Sequence, residues 1–114
     1  MAQLIQRGRE ILRINTQKNH IQHSTDGGRN WTARYIGTYP GTFVDLFDFG
    51  NEIIACTSKG LFVSKDEGRN WQSRYIGSYC GTFQQLASDG KNILATTSKG
   101  LFISRDGGRN WNRR

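Results

Sequence analysis

The sequence predicts an all-β repeat fold: three four-stranded antiparallel sheets strung along a single domain, residues 1–114. Three observations carry that prediction. A stretch recurs as Ser24-Thr25-Asp26-Gly27-Gly28-Arg29-Asn30-Trp31, Ser64-Lys65-Asp66-Glu67-Gly68-Arg69-Asn70-Trp71 and Ser104-Arg105-Asp106-Gly107-Gly108-Arg109-Asn110-Trp111, with its aspartates 40 residues apart. A fixed period of that length marks an architecture in which each unit is one supersecondary element. The composition, with 14 Gly and only 35% hydrophobic residues, favours short strands and turns, and no apolar stripe runs at helical spacing. Turn residues also punctuate short apolar runs every 8–12 residues or so, the rhythm of an antiparallel meander.

The second repeat is the clearest template. Phe43 to Phe49 reads as a strand, Gly50-Asn51 as a turn, and Glu52 to Thr57 as a second, largely apolar strand. Ser58-Lys59-Gly60 turns again, Leu61 to Ser64 enters the recurring stretch, and Asn70 to Tyr75 leaves it as the fourth strand. The third repeat copies this with Phe83 to Ser88, Asn92 to Thr97, Leu101 to Ser104 and Asn110 to Arg114. The first is more polar, with Arg13, Asn15, Gln22 and His23 where its sisters carry apolar or small residues. Leu4, Gly8 and Glu10 precede their counterparts by 42 residues, whereas Ser24 and Asp26 precede theirs by 40. Two residues are therefore inserted, and the Gln17-Lys18-Asn19 turn is the place expected for them. The units span approximately 1–35, 43–75 and 83–114, with no linker domain between them.

Each recurring stretch has the form Ser-x-Asp-x-Gly-x-x-Trp, and its chemistry is that of a hairpin. Asp accepts from backbone N–H groups further along the turn, Gly supplies positive φ, and Trp opens the next strand with a large apolar surface. The form resembles the Asp-box, or BNR repeat, of sialidases and other β-propellers, and the resemblance covers the chain in triplicate. It implies that each unit is a propeller blade. It also implies structural roles for Ser24, Asp26, Gly28 and Trp31, for Ser64, Asp66, Gly68 and Trp71, and for Ser104, Asp106, Gly108 and Trp111. Sialidases gather an arginine triad, a Tyr–Glu pair and an acidic general acid from different blades. Here Glu10 and Glu52 occupy equivalent strand starts and Glu67 lies inside an Asp-box, so no retaining-type carboxylate pair is offered. His20 and His23 lack a third ligand or a nucleophile. The expectation is a protein that is not an enzyme, with no cofactor and no metal.

Cys56 sits mid-strand and Cys80 in a loop, positions that suggest neither a disulfide framework nor a metal site. No charged-then-apolar leader and no long apolar run is visible, so a cytoplasmic protein without a membrane partner is expected. The formal charge is +7, built from +4 over residues 1–40, −1 over 41–80 and +4 over 81–114. A basic surface favours acidic partners, whether anionic glycan, protein or nucleic acid.

Closed propellers typically need four to eight blades. Three would leave a blade face in water, so two copies are expected to close a six-bladed ring as a homodimer. The face carrying the crossovers Tyr35 to Gly41 and Tyr75 to Gly81 would display Tyr39, Tyr79, Ser58, Ser98, Lys59 and Lys99 in repeated array. Those residues are candidates to hold an anionic ligand; packing between blades is the competing role. Arg29, Arg69 and Arg109, with Arg34, Arg74 and Arg114, form a second repeated set, either a basic rim or braces of their hairpins. The reading is a self-assembling, non-catalytic binding or scaffold module. A carbohydrate-binding module is the alternative and a nucleic-acid-binding surface the third.

Overall fold

A computed structural model describes residues 4–114 of the chain. It contains twelve strands in three four-stranded antiparallel sheets, each with its strands in sequence order. Blade one holds β1 (Leu4–Arg7), β2 (Glu10–Asn15), β3 (His20–Ser24) and β4 (Thr32–Tyr35). Blade two holds β5 (Phe43–Phe49), β6 (Glu52–Thr57), β7 (Gly60–Ser64) and β8 (Gln72–Tyr75). Blade three holds β9 (Phe83–Ser88), β10 (Ile93–Thr97), β11 (Gly100–Ser104) and β12 (Asn112–Arg113). The insertion in blade one lies in its β2–β3 turn, four residues long at 16–19 against two at 58–59.

The fourth strands start later than the sequence suggests, at Gln72 and Asn112 instead of Asn70 and Asn110. The cause is the Asp-box itself. Asn70 gives its backbone N–H to Asp66 Oδ1 at 2.8 Å and its side-chain amide to Oδ2 at 2.6 Å, and Asn110 does the same with Asp106. A donor held by the loop is lost to the sheet ladder. β10 likewise begins at Ile93, because the Asn92 N–H is taken by Asp89 Oδ1 at 2.8 Å. β7 begins one residue early at Gly60, whose φ of +132° lets the Tyr75 carbonyl approach where a Cβ would collide with it.

Alternation along the strands gives every blade two faces. The front face of blade two carries Phe43, Leu46, Ile53, Ala55, Phe62 and Trp71, and packs on Leu12, Ile14 and Ile21 of blade one. Its back face carries Ile54, Cys56, Leu61 and Val63, and packs on Phe83, Leu86, Ile93, Ala95, Phe102 and Trp111, the front of blade three. The cores thus lie between blades, with none inside a sheet.

The two outermost faces differ in kind. On the front of blade one, Arg13 and Gln22 stand where blade two has Ala55 and Phe62. The Arg13 guanidinium lies 4.0 Å from the centroid of the Trp31 ring, and its Nε donates to Gln22 Oε1 at 2.8 Å. That face is a polar cover over a tryptophan. The back of blade three keeps much of the apolar character of its counterpart, with Leu94 paired to Ile103 and Leu101 to Thr96 across β10 and β11.

Candidate functional site

The Asp-box builds the same loop three times. Asp26 Oδ1 accepts from Ser24 Oγ at 2.7 Å, Arg29 N at 3.0 Å and Asn30 N at 2.9 Å, while Oδ2 takes the Asn30 side chain at 2.7 Å. Ser24 Oγ accepts from Gly28 N at 2.9 Å, and Trp31 Nε1 donates to Gly28 O at 2.9 Å. Ser64, Asp66, Gly68 and Trp71 repeat the serine, asparagine, glycine and tryptophan bonds of this set, as do Ser104, Asp106, Gly108 and Trp111, while the Arg69 N–H turns to the Asp66 carbonyl at 3.4 Å. The donors stabilise the charged form. The backbone N–H of Asn30 is the main cause at Asp26 and the Asn110 side chain at Asp106, and each carboxyl is held down to about 2. At Asp66 burial pushes upward, but the bonds from Asn70 and Ser64 outweigh it and the net direction is down. A carboxylate so low, with both oxygens engaged, is poorly matched to proton transfer near neutral pH.

At the opposite end of the blades the crossovers meet the β6–β7 and β10–β11 turns. Ser58 Oγ accepts from Thr42 N at 2.9 Å and Ser98 Oγ from Thr82 N at 2.8 Å, so both serines stitch a crossover to the next blade. Lys59 Nζ donates to Tyr39 O at 3.3 Å and Lys99 Nζ to Ser78 O at 3.2 Å. Tyr39 packs edge-on against Phe62 and Tyr79 against Phe102, each with centroids 5.4 Å apart. Both tyrosines are still more than half exposed, as are Ile36 and Ile76. A cavity of about 350 Å³ opens here, lined among others by Lys59, Ser78, Thr82 and Lys99. The six candidate residues therefore gather in two equivalent clusters, half brace and half open surface.

The repeated arginines divide by role. Arg69 and Arg109 brace their own loops, each donating Nη1 to the Asp66 or Asp106 carbonyl at 3.0 and 2.9 Å. Arg34 and Arg74 are withdrawn from any rim. Arg34 donates to Glu10 Oε2 at 2.6 Å inside its blade and to Glu67 O at 2.7 Å in the Asp-box of the next. Arg74 does the same with Glu52 at 2.8 Å and Gly107 O at 2.6 Å. These blade-to-blade latches were not anticipated, although the 40-residue spacing of the arginines and the matched Glu10 and Glu52 carried the signal. Arg7 adds a further bridge, reaching both carboxylate oxygens of Glu67 at 3.0 and 2.8 Å and Asp48 at 2.6 Å.

Blade three breaks the series. Asn92 stands where the glutamate would, and Arg114 lines an open groove of about 210 Å³ with Leu94, Leu101 and Phe102. Among the described residues no group of three His, Cys, Asp or Glu side chains is placed to hold a metal. Cys56 and Cys80 are free thiols, and burial pushes the pKa of each upward. Among the described residues no helix is long and apolar enough to cross a membrane.

Comparison with known proteins agrees with this geometry. The BNR/Asp-box repeat family matches at residues 22–33 and 102–113. No curated protein matches the chain. Among solved structures, YCF48 from Cyanidioschyzon merolae is similar with a TM-score of 0.70 and 20% identity, over 91% of this chain and 35% of that one. YCF48 bound to D1 peptide is similar with a TM-score of 0.72 and 16% identity, over 97% of this chain and 39% of that one. The chain thus spans little more than a third of the length of either, and at these identities the likeness concerns the fold. The chain thus carries Asp-box (BNR) repeats, two of its three boxes being matched by the family, on blades whose fold is similar to that of the YCF48 structures.

Proposed function

We propose that the chain is a non-catalytic binding and scaffold module that works as a self-assembled propeller, two copies supplying six blades. The observation that carries this reading is the back face of blade three. It repeats the chemistry of a face that blade two buries completely, yet Leu101 is 55% exposed where its counterpart Leu61 is fully covered. Burying one leucine contributes about 1.5–3 kcal/mol, and a contiguous open apolar face is a docking surface by the same physics. The non-catalytic part is supported by the saturation of the three Asp-box carboxylates and by the pairing of Glu10, Glu52 and Glu67 with arginines.

Size exclusion coupled to light scattering tests it. The reading expects a species of twice 13.0 kDa, about 26 kDa, at micromolar concentration. A particle of single-chain mass that persists on concentration would overturn it.

A second partner, a protein segment, is favoured by one feature of the crossover face. Ile36, Tyr39, Ile76 and Tyr79 stand exposed there beside Lys59 and Lys99. The similar YCF48 structure is one bound to D1 peptide. Tyr39→Ala with Tyr79→Ala should abolish capture of acidic peptides from an array while leaving the assembled mass unchanged. Unchanged capture would remove these tyrosines from the site.

A further inference from the structure

We infer that the seam between two copies is head to tail, the back of blade three of one copy receiving the front of blade one of the other, with Arg114 as its latch. This rests on the self-assembly reading above. Three lines on the molecule lead to the seam.

The first is the arginine series. Arg34 reaches the Glu67 carbonyl and Arg74 the Gly107 carbonyl, each donating to the residue before the recurring glycine of the next Asp-box. Arg114 is the third member: its charge acts on the nearby Asp89 carboxylate, and among the described residues its side chain reaches no Asp-box carbonyl. The third Asp-box carbonyl at that position is Gly27 O, in the loop of blade one, which is fully formed. Placed against blade three, a second copy would present that carbonyl to Arg114.

The second line is packing. An added Cβ at Gly68 would meet Arg34, Ile21 and Leu12, and one at Gly108 would meet Arg74 and Leu61, at ordinary contact distances. At Gly28 it would meet only Trp31 of its own blade. The seat that Leu61 and Arg74 occupy on blade three is therefore filled by no described residue on blade one, and Leu101 and Arg114 are the residues whose equivalents fill it.

The third line is the pair of exposed leucines. Leu101 marks the open back face, and Leu4, also 55% exposed, marks the open front of blade one, where Leu46 and Leu86 are covered in the inner seams. Arg13 and Gln22 make this front more polar than its sisters. The seam is accordingly leaner than the two inside the chain, and the copies exchange while the blades stay folded.

Charge reversal at the latch supplies the test, with dimer dissociation constants read by sedimentation and folding checked by circular dichroism. Position 27 tolerates a side chain: the equivalent Glu67 adopts φ +63° in blade two, and a Cβ at Gly27 meets nothing within 4 Å. Arg114→Glu should weaken dimerisation on the order of tenfold, as loss of a charge-assisted hydrogen bond does. Gly27→Lys should weaken it similarly by opposing Arg114 of the other copy. The double variant, with Glu and Lys now facing each other across both seams, should recover most of the loss. A dimer indifferent to Gly27→Lys would mean that blade three pairs with itself and would overturn the head-to-tail seam. So would a double variant no tighter than either single one. A wild-type chain that never dimerises is a different failure, that of the self-assembly reading.

Discussion

The back face of blade two and the back face of blade three occupy equivalent positions on two nearly identical sheets, yet one is core and the other is surface. Ile54, Cys56, Leu61 and Val63 are covered by blade three. Leu94, Thr96, Leu101 and Ile103 occupy the same register and, among the described residues, are covered by no further blade. Nothing in the local sequence separates a buried leucine at 61 from an open one at 101, since both follow Ser-Lys-Gly and precede Phe. In a repeat protein the neighbour decides burial, and stability is a sum of unit and interface terms. The arginines repeat the lesson: Arg74 is locked between Glu52 and the next loop, whereas Arg114 lines an open groove.

That contrast can be broken most forcefully at the leucines. Leu61→Ala should cost about 2–5 kcal/mol, the usual range for truncating a fully buried leucine. Leu101→Ala in a dilute, monomeric sample should stay within about 0.5 kcal/mol of the parent. Denaturant titration of both variants gives the numbers, and equal losses would erase the distinction between the faces.

A smaller difference is expected at the latches. Arg74→Ala removes charge-assisted bonds from Glu52 and the Gly107 carbonyl, worth about 1.5–3 kcal/mol together with the desolvated groups left behind. Arg114→Ala should leave the melting temperature of the monomer where it was. Asp66→Ala should cost about 1–3 kcal/mol, because Ser64 Oγ and the Asn70 amides lose their shared acceptor. An unchanged melting temperature for that variant would remove Asp66 from its role as turn brace.

The pH dependence sharpens the comparison between loops and faces, since the Asp-box loops carry carboxylates whose pKa is lowered and the apolar back faces carry none. Asp26 and Asp106 lie at about 2 in the folded chain against an ordinary 3.8. The unfolded chain therefore takes up protons first as pH falls, and the stabilisation is complete above 3.8 and lost towards 2. Glu10 and Glu67, held low by Arg34 and Arg7, act in the same direction. Acid unfolding followed by tryptophan fluorescence should steepen across that window. Asn substitution at 26 and 106 should flatten it.

Much of this was readable from the residues alone. The Ser, Asp, Gly and Trp of each box carry the hydrogen bonds of the hairpin, and the eight strands of blades two and three lie within the regions that the turn residues and apolar runs of repeats two and three mark out. The strands of blade one rest on the correspondence of Leu4, Gly8, Glu10, Ser24 and Asp26 with the later repeats. The strand starts at Gln72, Ile93 and Asn112 were misplaced because an Asx side chain competing for a backbone N–H leaves no trace in hydropathy. The latches of Arg34 and Arg74 were hidden for another reason. An arginine that ends a strand looks solvated until its partner, 33 residues on in the next loop, is placed beside it. Glu67 shows the same limit: in sequence it is a substitution for glycine, and in the fold it is the anchor for Arg7. Tyr39 and Tyr79 pack edge-on against Phe62 and Phe102 and stay more than half exposed, so a repeated tyrosine in the sequence does not by itself separate packing from recognition.

The central claim is that the back of blade three is a covered surface in the assembled protein, and thiol accessibility at that surface tests it most directly. Cys56 and Cys80 are buried and give a quiet background. In a Leu101→Cys chain the new thiol should react fast with a maleimide at nanomolar protein and progressively slower towards micromolar concentrations, as a second copy covers it. A labelling rate independent of concentration over that range would contradict the account.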